Sequence, residues 1–415
     1  MSLTRSRPRV LTLVSLLLAP ALALSTLSVA APAQAQKIKP TFWGMHDNEW
    51  TTPPTVTIGS ANFTTTGTYW RNVETSKGNY DFTRLDLQVS AAEGVGAQPM
   101  VLLGQTPKFH STKPRSSNVV TTMPKIKAWK KYVTKVAARY GTRIDYQIWP
   151  EPNIIQNWSG TPKQMAQLTV VAAKAIQKAA GKKAKVISPA VALRLPSQQD
   201  WTVKYFKSSV GGVRPGKVVD AVAIDPFPAQ KGTPEDSYKI MQTIKKKLGR
   251  IGVHKPFWNN EINYGVAGGG ATTTTSYPVP KQQAYVVRTY ALSAAAKMAR
   301  TYWLAWFSSP ELAINMTDAN GFALPPATSY SVVRSWLNGT NMKGCSKKKN
   351  GVWVCTATNG ANEVRRIYWL PKGVKTFNTP KSTTRVEDQD GNVDSRTGKF
   401  LVGVDYRPIM IASRK

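Results

Sequence analysis

Two stretches of this chain hold carboxylates in settings suited to chemistry. The first, Asp145-Tyr-Gln-Ile-Trp-Pro-Glu151-Pro-Asn153, opens with β-branched and aromatic residues and closes with Glu151 between Pro150 and Pro152. Proline has no N–H for a sheet ladder, so a strand here is expected to stop near Trp149, leaving Glu151 just past its carboxyl end. The second, Pro256-Phe-Trp-Asn-Asn-Glu261-Ile-Asn-Tyr-Gly265, repeats the arrangement: a short apolar strand, a Trp, polar residues, then Glu261. Two carboxyls at the ends of separate strands are what glycosidic-bond hydrolysis uses, one as acid/base and one as nucleophile, about 5–5.5 Å apart in the retaining version.

The elements that would position them alternate. Strand patterns fall at Thr41–His46, Thr55–Phe63, Ala97–Leu103, Ile144–Trp149, Lys185–Pro189, Ala221–Ile224, Pro256–Asn260 and Thr301–Phe307. Helical patterns lie between most of them: Tyr80–Glu93, Met123–Tyr140, Thr161–Ala180, Asp200–Ser209, Thr233–Leu248, Lys281–Lys297, and a last one from Pro325 to Asn338. Apolar residues at helical spacing (Ile126, Trp129, Tyr132, Val133, Val136), the Thr161-Pro162 start and the Gly141 and Gly181 stops mark these helices. Eightfold β/α alternation over about 300 residues predicts an α/β protein, a (β/α)8 TIM barrel, whose strand ends carry the site. A doubly wound open sheet is the rival, but no Gly-rich nucleotide loop follows the first strand. From Thr340 the pattern changes to short strands between Gly, Asn and Lys turns, predicting a small C-terminal all-β domain over residues 340–415 beside a barrel at 36–339. Cys345 and Cys355, the only cysteines, are expected to close one hairpin as a disulfide.

Residues 1–35 read as a secretory signal peptide: Arg5, Arg7 and Arg9, an apolar run over Leu11–Leu24, and small residues at Ala33-Gln34-Ala35. The run is short for a membrane span, and no other long apolar run exists. The expected location is secreted and extracellular. Net charge is +34; residues 1–35 hold three Arg and no acid, leaving +31 on the rest. That field favours anionic partners such as an acidic cell-surface polymer, or serves only as a solvated surface. The 41% hydrophobic content allows a large core.

At Ile148-Trp-Pro-Glu151-Pro-Asn and Phe257-Trp-Asn-Asn-Glu261-Ile-Asn-Tyr-Gly the chain resembles glycoside hydrolase clan A, most nearly family 39-type and bacterial exopolysaccharide hydrolase-like members. Tyr69-Trp-Arg-Asn-Val-Glu-Thr-Ser-Lys-Gly78-Asn-Tyr-Asp-Phe, Leu103-Gly-Gln-Thr-Pro107 and Thr317-Asp-Ala-Asn-Gly321 match in the same order. The resemblance implies a retaining mechanism with Glu151 as acid/base and Glu261 as nucleophile, and a carbohydrate substrate. Three positions depart from the clan's pattern. Pro150 stands where Asn precedes the acid/base, Asn62 near where Arg ends strand 2, and Asp225-Pro-Phe227 where His-x-Tyr follows strand 6. These departures motivate a second reading, a barrel that binds glycan without turnover. A third is a basic protein that adheres to nucleic acid or cell wall through charge.

The remaining site candidates follow strand ends. His46 is either a substrate hydrogen-bonder or a satisfied supporting histidine, and Gln105 and Asn153 offer amides. Asp225 could bind a hydroxyl or a cation, or sit in an ion pair. Asn259, Asn260 and Tyr264 are candidate donors around Glu261. Trp149, Trp303 and Trp306, with Trp43, Trp70, Phe109, Trp158, Phe227 and Trp258, could offer faces to sugar or pack the core. Gly268–Thr275 reads as a loop over the mouth, a possible lid. No His/Asp cluster has metal spacing, so neither metal nor cofactor is expected.

Overall fold

The computed structural model describes residues 36–415, apart from Thr51, Thr65, Gly269 and Gly270, together with Ser2. The signal-peptide reading of residues 1–35 therefore lies outside the described residues. Ala35–Lys415 forms one compact unit.

Eight parallel barrel strands are present: β1 (Trp43–His46), β2 (Ser60–Asn62), β3 (Gln98–Leu103), β4 (Asp145–Ile148), β5, β6 (Val222–Asp225), β7 (Phe257–Ile262) and β8 (Met298–Trp303). β5 comes in two pieces, Val186–Ile187 on β4 and Val191–Ala192 on β6. Ser188-Pro189 interrupts it, because proline offers no N–H. β8 pairs with β1, and a bridge from Ile187 to Ala221 closes the ring. The fold is a (β/α)8 barrel with an antiparallel sheet appended, as the alternation predicts.

The outer layer is α1 (Thr83–Gly94), α2 (Ile126–Tyr140), α3 (Pro162–Ala180), α4 (Pro196–Lys207), α5 (Pro234–Gly249), α6 (Val279–Ala295) and α7 (Pro325–Leu337). Thr161 and Gln164 form a reciprocal capping box at the start of α3, fixing its register behind the β4 loop. Among the described residues no helix joins β1 to β2, and β2 is shorter than the Thr55–Phe63 pattern suggested. The strand expected at Thr301–Phe307 begins earlier, at Met298, where it pairs with Phe257.

Strand alternation sorts residues between the barrel interior and the helix layer. Inside, Met100, Ile187, Ala221, Ala223, Trp258 and Tyr302 pack a small apolar core. At its base Arg300 pairs with Asp145 at 2.7 Å and lies 3.9 Å from the Trp258 ring centroid. The larger core fills the space between strands and helices.

After α7 come antiparallel strands Asn341–Lys347, Trp353–Asn359, Glu363–Trp369, Thr383–Asp388 and Ile409–Arg414. Cys345 faces Cys355 across the first pair and is bonded to it. The sheet also takes in Gln36–Lys37, which pairs with Met342 and Asn341, a long-range partnership with no sequence signal. Trp369 donates its indole N–H to Glu235 of α5 at 2.7 Å, and Ser329 of α7 donates to the Gln389 carbonyl at 2.7 Å, so the sheet rests on the helix layer.

Candidate active site

Glu151 leaves the barrel immediately after β4. The Trp149 N–H still bonds the Leu103 carbonyl at 2.7 Å, after which the backbone turns sharply. Trp149 has φ 59° and Glu151 φ 33°, and Gln105 at the end of β3 has φ 63°. Left-handed backbone is costly for such residues and tends to persist where surrounding structure fixes a functional group. The turn needs Gly104: a Cβ there would stand 3.3 Å from the Trp149 ring and 3.4 Å from Pro150 Cδ.

Glu261 reaches the mouth by a bulge. Asn259 pairs with Thr301 and Ile262 with Trp303, so β7 spends one more residue than β8 over this step. Regular alternation would send Asn260 inward and Glu261 outward; an extra residue re-aims the chain. The bulge turns the Asn260 carbonyl toward the barrel interior. There it accepts from His46 Nε2 at 2.8 Å and from Asn62 Nδ2 at 3.2 Å. With its proton on Nε2, assigned from that bond, His46 has a bare, buried Nδ1 with no partner among the described residues. Burial lowers its pKa to about 4, against the raising effect of the Asn260 carbonyl, so the imidazole is neutral.

A third carboxyl joins the pair. Asp225 ends β6, is wholly buried, and among the described residues neither oxygen makes a well-formed hydrogen bond, although the Asn260 side chain acts on it. The ion pair considered for it is not formed. Instead it lies close enough to Glu261 and Glu151 for both to raise it, and Glu151 in turn raises Glu261. Burial, then Glu261 and Glu151, push Asp225 well above the carboxylate range, with the Asn260 side chain as the counterweight. Burial raises Glu151 to about 7, opposed by Arg194. Burial, then Glu151 and Glu311, raise Glu261 to about 8. Both glutamates are half-buried, densely surrounded but open on one side. Like carboxyls sharing a low-dielectric site cannot all ionise together, so the trio holds protons at neutral pH. Asp225 is the best candidate to keep one.

Other expected site residues divide. Gln105 accepts from Arg71 Nε at 2.7 Å at the rim. Trp306 is nearly buried and borders a cavity of about 540 Å3 between the β1 and β8 loops, with Asp47, Glu49, Phe307 and Asp318. Trp303 is fully buried, its indole N–H unpartnered among the described residues. Six candidates face elsewhere. Trp149 is fully buried with its N–H on the Asn157 carbonyl at 2.8 Å, against Trp158. Asn153 is used up joining the β4 loop to β5, accepting from the Ala192 N–H at 3.1 Å and donating to the Ala192 carbonyl at 2.6 Å. Tyr264 bonds Thr289 of α6 at 2.7 Å, and Asn259 donates to Ser293 of α6 at 3.2 Å, so neither supports Glu261 directly. Trp43 stacks on Tyr290, and Trp258 lies under Arg300 at the barrel base.

Arg194 had no sequence signal. From the short β5 loop it donates to the Val266 carbonyl at 3.1 Å and the Ala267 carbonyl at 3.3 Å, and it is the cation that acts on Glu151. Those bonds, with Thr273 N–H to the Pro310 carbonyl at 2.9 Å, tie down the loop read as a lid; its Gly269 and Gly270 lie outside the described residues. Phe322, in the β8 loop, is 71% exposed, a bare ring in the stretch after Gly321. Among the described residues no group of His, Cys, Asp or Glu is placed to hold a metal ion, and no helix is long and apolar enough to cross a membrane.

No protein-family model and no curated protein matches the chain. Solved structures do. A family 39 glycoside hydrolase from the gut symbiont Bacteroides cellulosilyticus WH2 aligns with TM-score 0.70 at 16% identity, over 91% of this chain and 81% of that one. A family 39 β-xylosidase from Caulobacter crescentus aligns with TM-score 0.61 at 14% identity, over 92% and 98%. A family 30 endoxylanase from Clostridium papyrosolvens C71 gives 0.60 at 11% identity, over 92% and 98%. The fold is that of the clan A glycoside hydrolases. Glu151 and Glu261 stand at the carboxyl ends of the parallel strands β4 and β7.

Proposed function

We propose that the protein is a secreted retaining glycoside hydrolase acting on a polysaccharide or oligosaccharide, with Glu151 as acid/base and Glu261 as nucleophile. The observation that carries this reading is the electrostatic coupling of two strand-end glutamates at the open mouth of a glycosidase-type barrel. In such a mechanism the coupled pair holds one proton, on Glu151; Glu151 gives it to the departing oxygen while the ionised Glu261 attacks the anomeric carbon. Glu151 then activates water to release the sugar with its configuration retained. Neighbours named for xylosidase and xylanase activity make aryl xylosides and xylo-oligosaccharides the first probes, with acidic glycans next because of the chain's charge. The expected result is turnover whose first-formed anomer, read by NMR, keeps the substrate's configuration, lost in Glu151→Gln and in Glu261→Gln. Full activity in Glu261→Gln overturns the assignment.

A second reading has its own observation. Asn62 spends its Nδ2 on the Asn260 carbonyl and its Oδ1 on Thr64, whose N–H lies at 2.9 Å, so it gives the nucleophile no charge. Together with the buried Asp225 this favours a protonated Glu261, as in a barrel that holds glycan without cutting it. Calorimetric glycan binding without turnover in the wild type supports that reading.

A further inference from the structure

A second cavity lies at the opposite, amino-terminal end of the barrel, below β5–β8. Its volume is about 450 Å3, and Lys37, Lys39, Lys183, Lys185 and Arg300 are among its lining residues. The four lysines come as two Lys-x-Lys pairs. Lys37 and Lys39 flank Ile38, and Lys183 and Lys185 flank Ala184; both central residues are buried while all four lysines are exposed. Around Ile38 the chain is extended and residues two apart point the same way, so Lys37 and Lys39 turn outward together, while Lys183 and Lys185 flank the bend at buried Ala184. The segments come from distant parts of the sequence and both edge this cavity.

None of these lysines is in an ion pair or side-chain hydrogen bond among the described residues. One carboxylate lines the cavity, that of Asp220, and its Oδ2 accepts from the Val186 N–H at 2.8 Å. The floor is different. Arg300 is 3% exposed, held by Asp145 at 2.7 Å and the Tyr302 hydroxyl at 2.9 Å, with its guanidinium over Trp258. Ile38, Phe42 and Met298 give apolar walls. Asp145 offsets the charge of Arg300, so the positive field of the cavity is that of its rim of unpaired ammonium groups, and unpaired like charges gain most from an anion that bridges them.

We propose that this amino-terminal cavity binds a small multivalent oxyanion, one carrying two or more phosphate or carboxylate groups, held by the two Lys-x-Lys pairs above Arg300. The site is independent of the carboxyl mouth. A compact anion fits better than a long polymer because the lysines surround a pocket rather than track along a groove.

The test is calorimetry and thermal shift on the full chain with sodium tripolyphosphate and with citrate, at low and physiological salt. Expected is saturable one-to-one binding that raises Tm, weakened at least tenfold in Lys37→Ala/Lys39→Ala and in Lys183→Ala/Lys185→Ala. A control of equal charge loss, Lys127→Ala/Lys131→Ala on α2, should leave it unchanged. Binding of tripolyphosphate alone assigns a phosphate ligand, and binding of citrate alone a polycarboxylate. No saturable binding of either, or equal weakening in the control, overturns the proposal, as does binding confined to long polyanions such as heparin.

Discussion

His46 donates its Nε2–H to the carbonyl of Asn260 at 2.8 Å, and the next residue is Glu261. The imidazole therefore acts on the backbone that carries the nucleophile candidate rather than on a ligand. Its folded pKa is lowered, from 6.5 to about 4. Above pH 6.5 both folded and unfolded chains hold it neutral. As pH falls through that window only the unfolded chain takes the proton, and about 3 kcal/mol of stability is lost by pH 4. In denaturant melts, the difference between wild type and His46→Asn should shrink by that order between pH 7 and pH 4. A difference independent of pH would show that His46 is not held neutral.

The glutamates have the opposite sign. Their folded pKa values are raised, so folding binds protons more tightly, and stability falls as pH rises from the ordinary value of 4.5 through about 7 for Glu151 and about 8 for Glu261. Glu261→Gln should be more stable than wild type at pH 8 by on the order of 2 kcal/mol, a figure reduced for its solvent-facing side, and nearly equal at pH 4.5. Thermal melts at the two pH values check this without knowledge of the substrate. The same variant should lose at least about a thousandfold in turnover, as loss of a nucleophile requires.

Asp225→Asn separates the roles of the three carboxyls. Asp225 keeps its proton at neutral pH and carries no charge there, so in Asp225→Asn the titration of Glu261 by carboxyl NMR should stay where burial, Glu151 and Glu311 put it. Because asparagine keeps a donor at the same place, activity should survive better in Asp225→Asn than in Asp225→Ala. A Glu261 titration that moves down in Asp225→Asn would show instead that Asp225 is ionised beside it.

Gly104→Ala tests the turn under Glu151. The added methyl must push the Trp149 ring or Pro150 by a few tenths of an ångström inside a packed region. The expected cost is about 1–2 kcal/mol in stability, with turnover falling further than stability accounts for, because Glu151 moves with Pro150. Melts and kinetics on the one variant separate the two effects.

Much of this was legible from the chain. Glu151 and Glu261 could be placed at strand ends because proline and strand-forming residues bound the strands locally. The alternation of strands and helices carried the barrel for the same reason. What escaped was non-local. That Glu261 reaches the mouth against regular alternation depends on the bulge against β8, which no residue of β7 announces. Trp149 and Tyr264 look like mouth residues by position, but the polar tip of Trp149 finds its partner in its own loop, at the Asn157 carbonyl, and that of Tyr264 finds Thr289 of α6 behind the strands. Arg194 is one arginine in a three-residue loop; only the fold brings it over Glu151. The break in β5 had a visible cause in Pro189, yet its consequence, two pieces serving two neighbours, needed the closed ring.

The pairing of Gln36–Lys37 with Met342 and Asn341 sets an order of events. This strand has no partner until the chain has been made through residue 342, so its docking belongs to the final stage of folding on the ribosome or after release. Until then the segment with Lys37 and Lys39 remains an extended basic arm, open to chaperones, proteases or anionic surfaces. Shortening the chain before Asn341 should leave that arm undocked even where the barrel strands have closed.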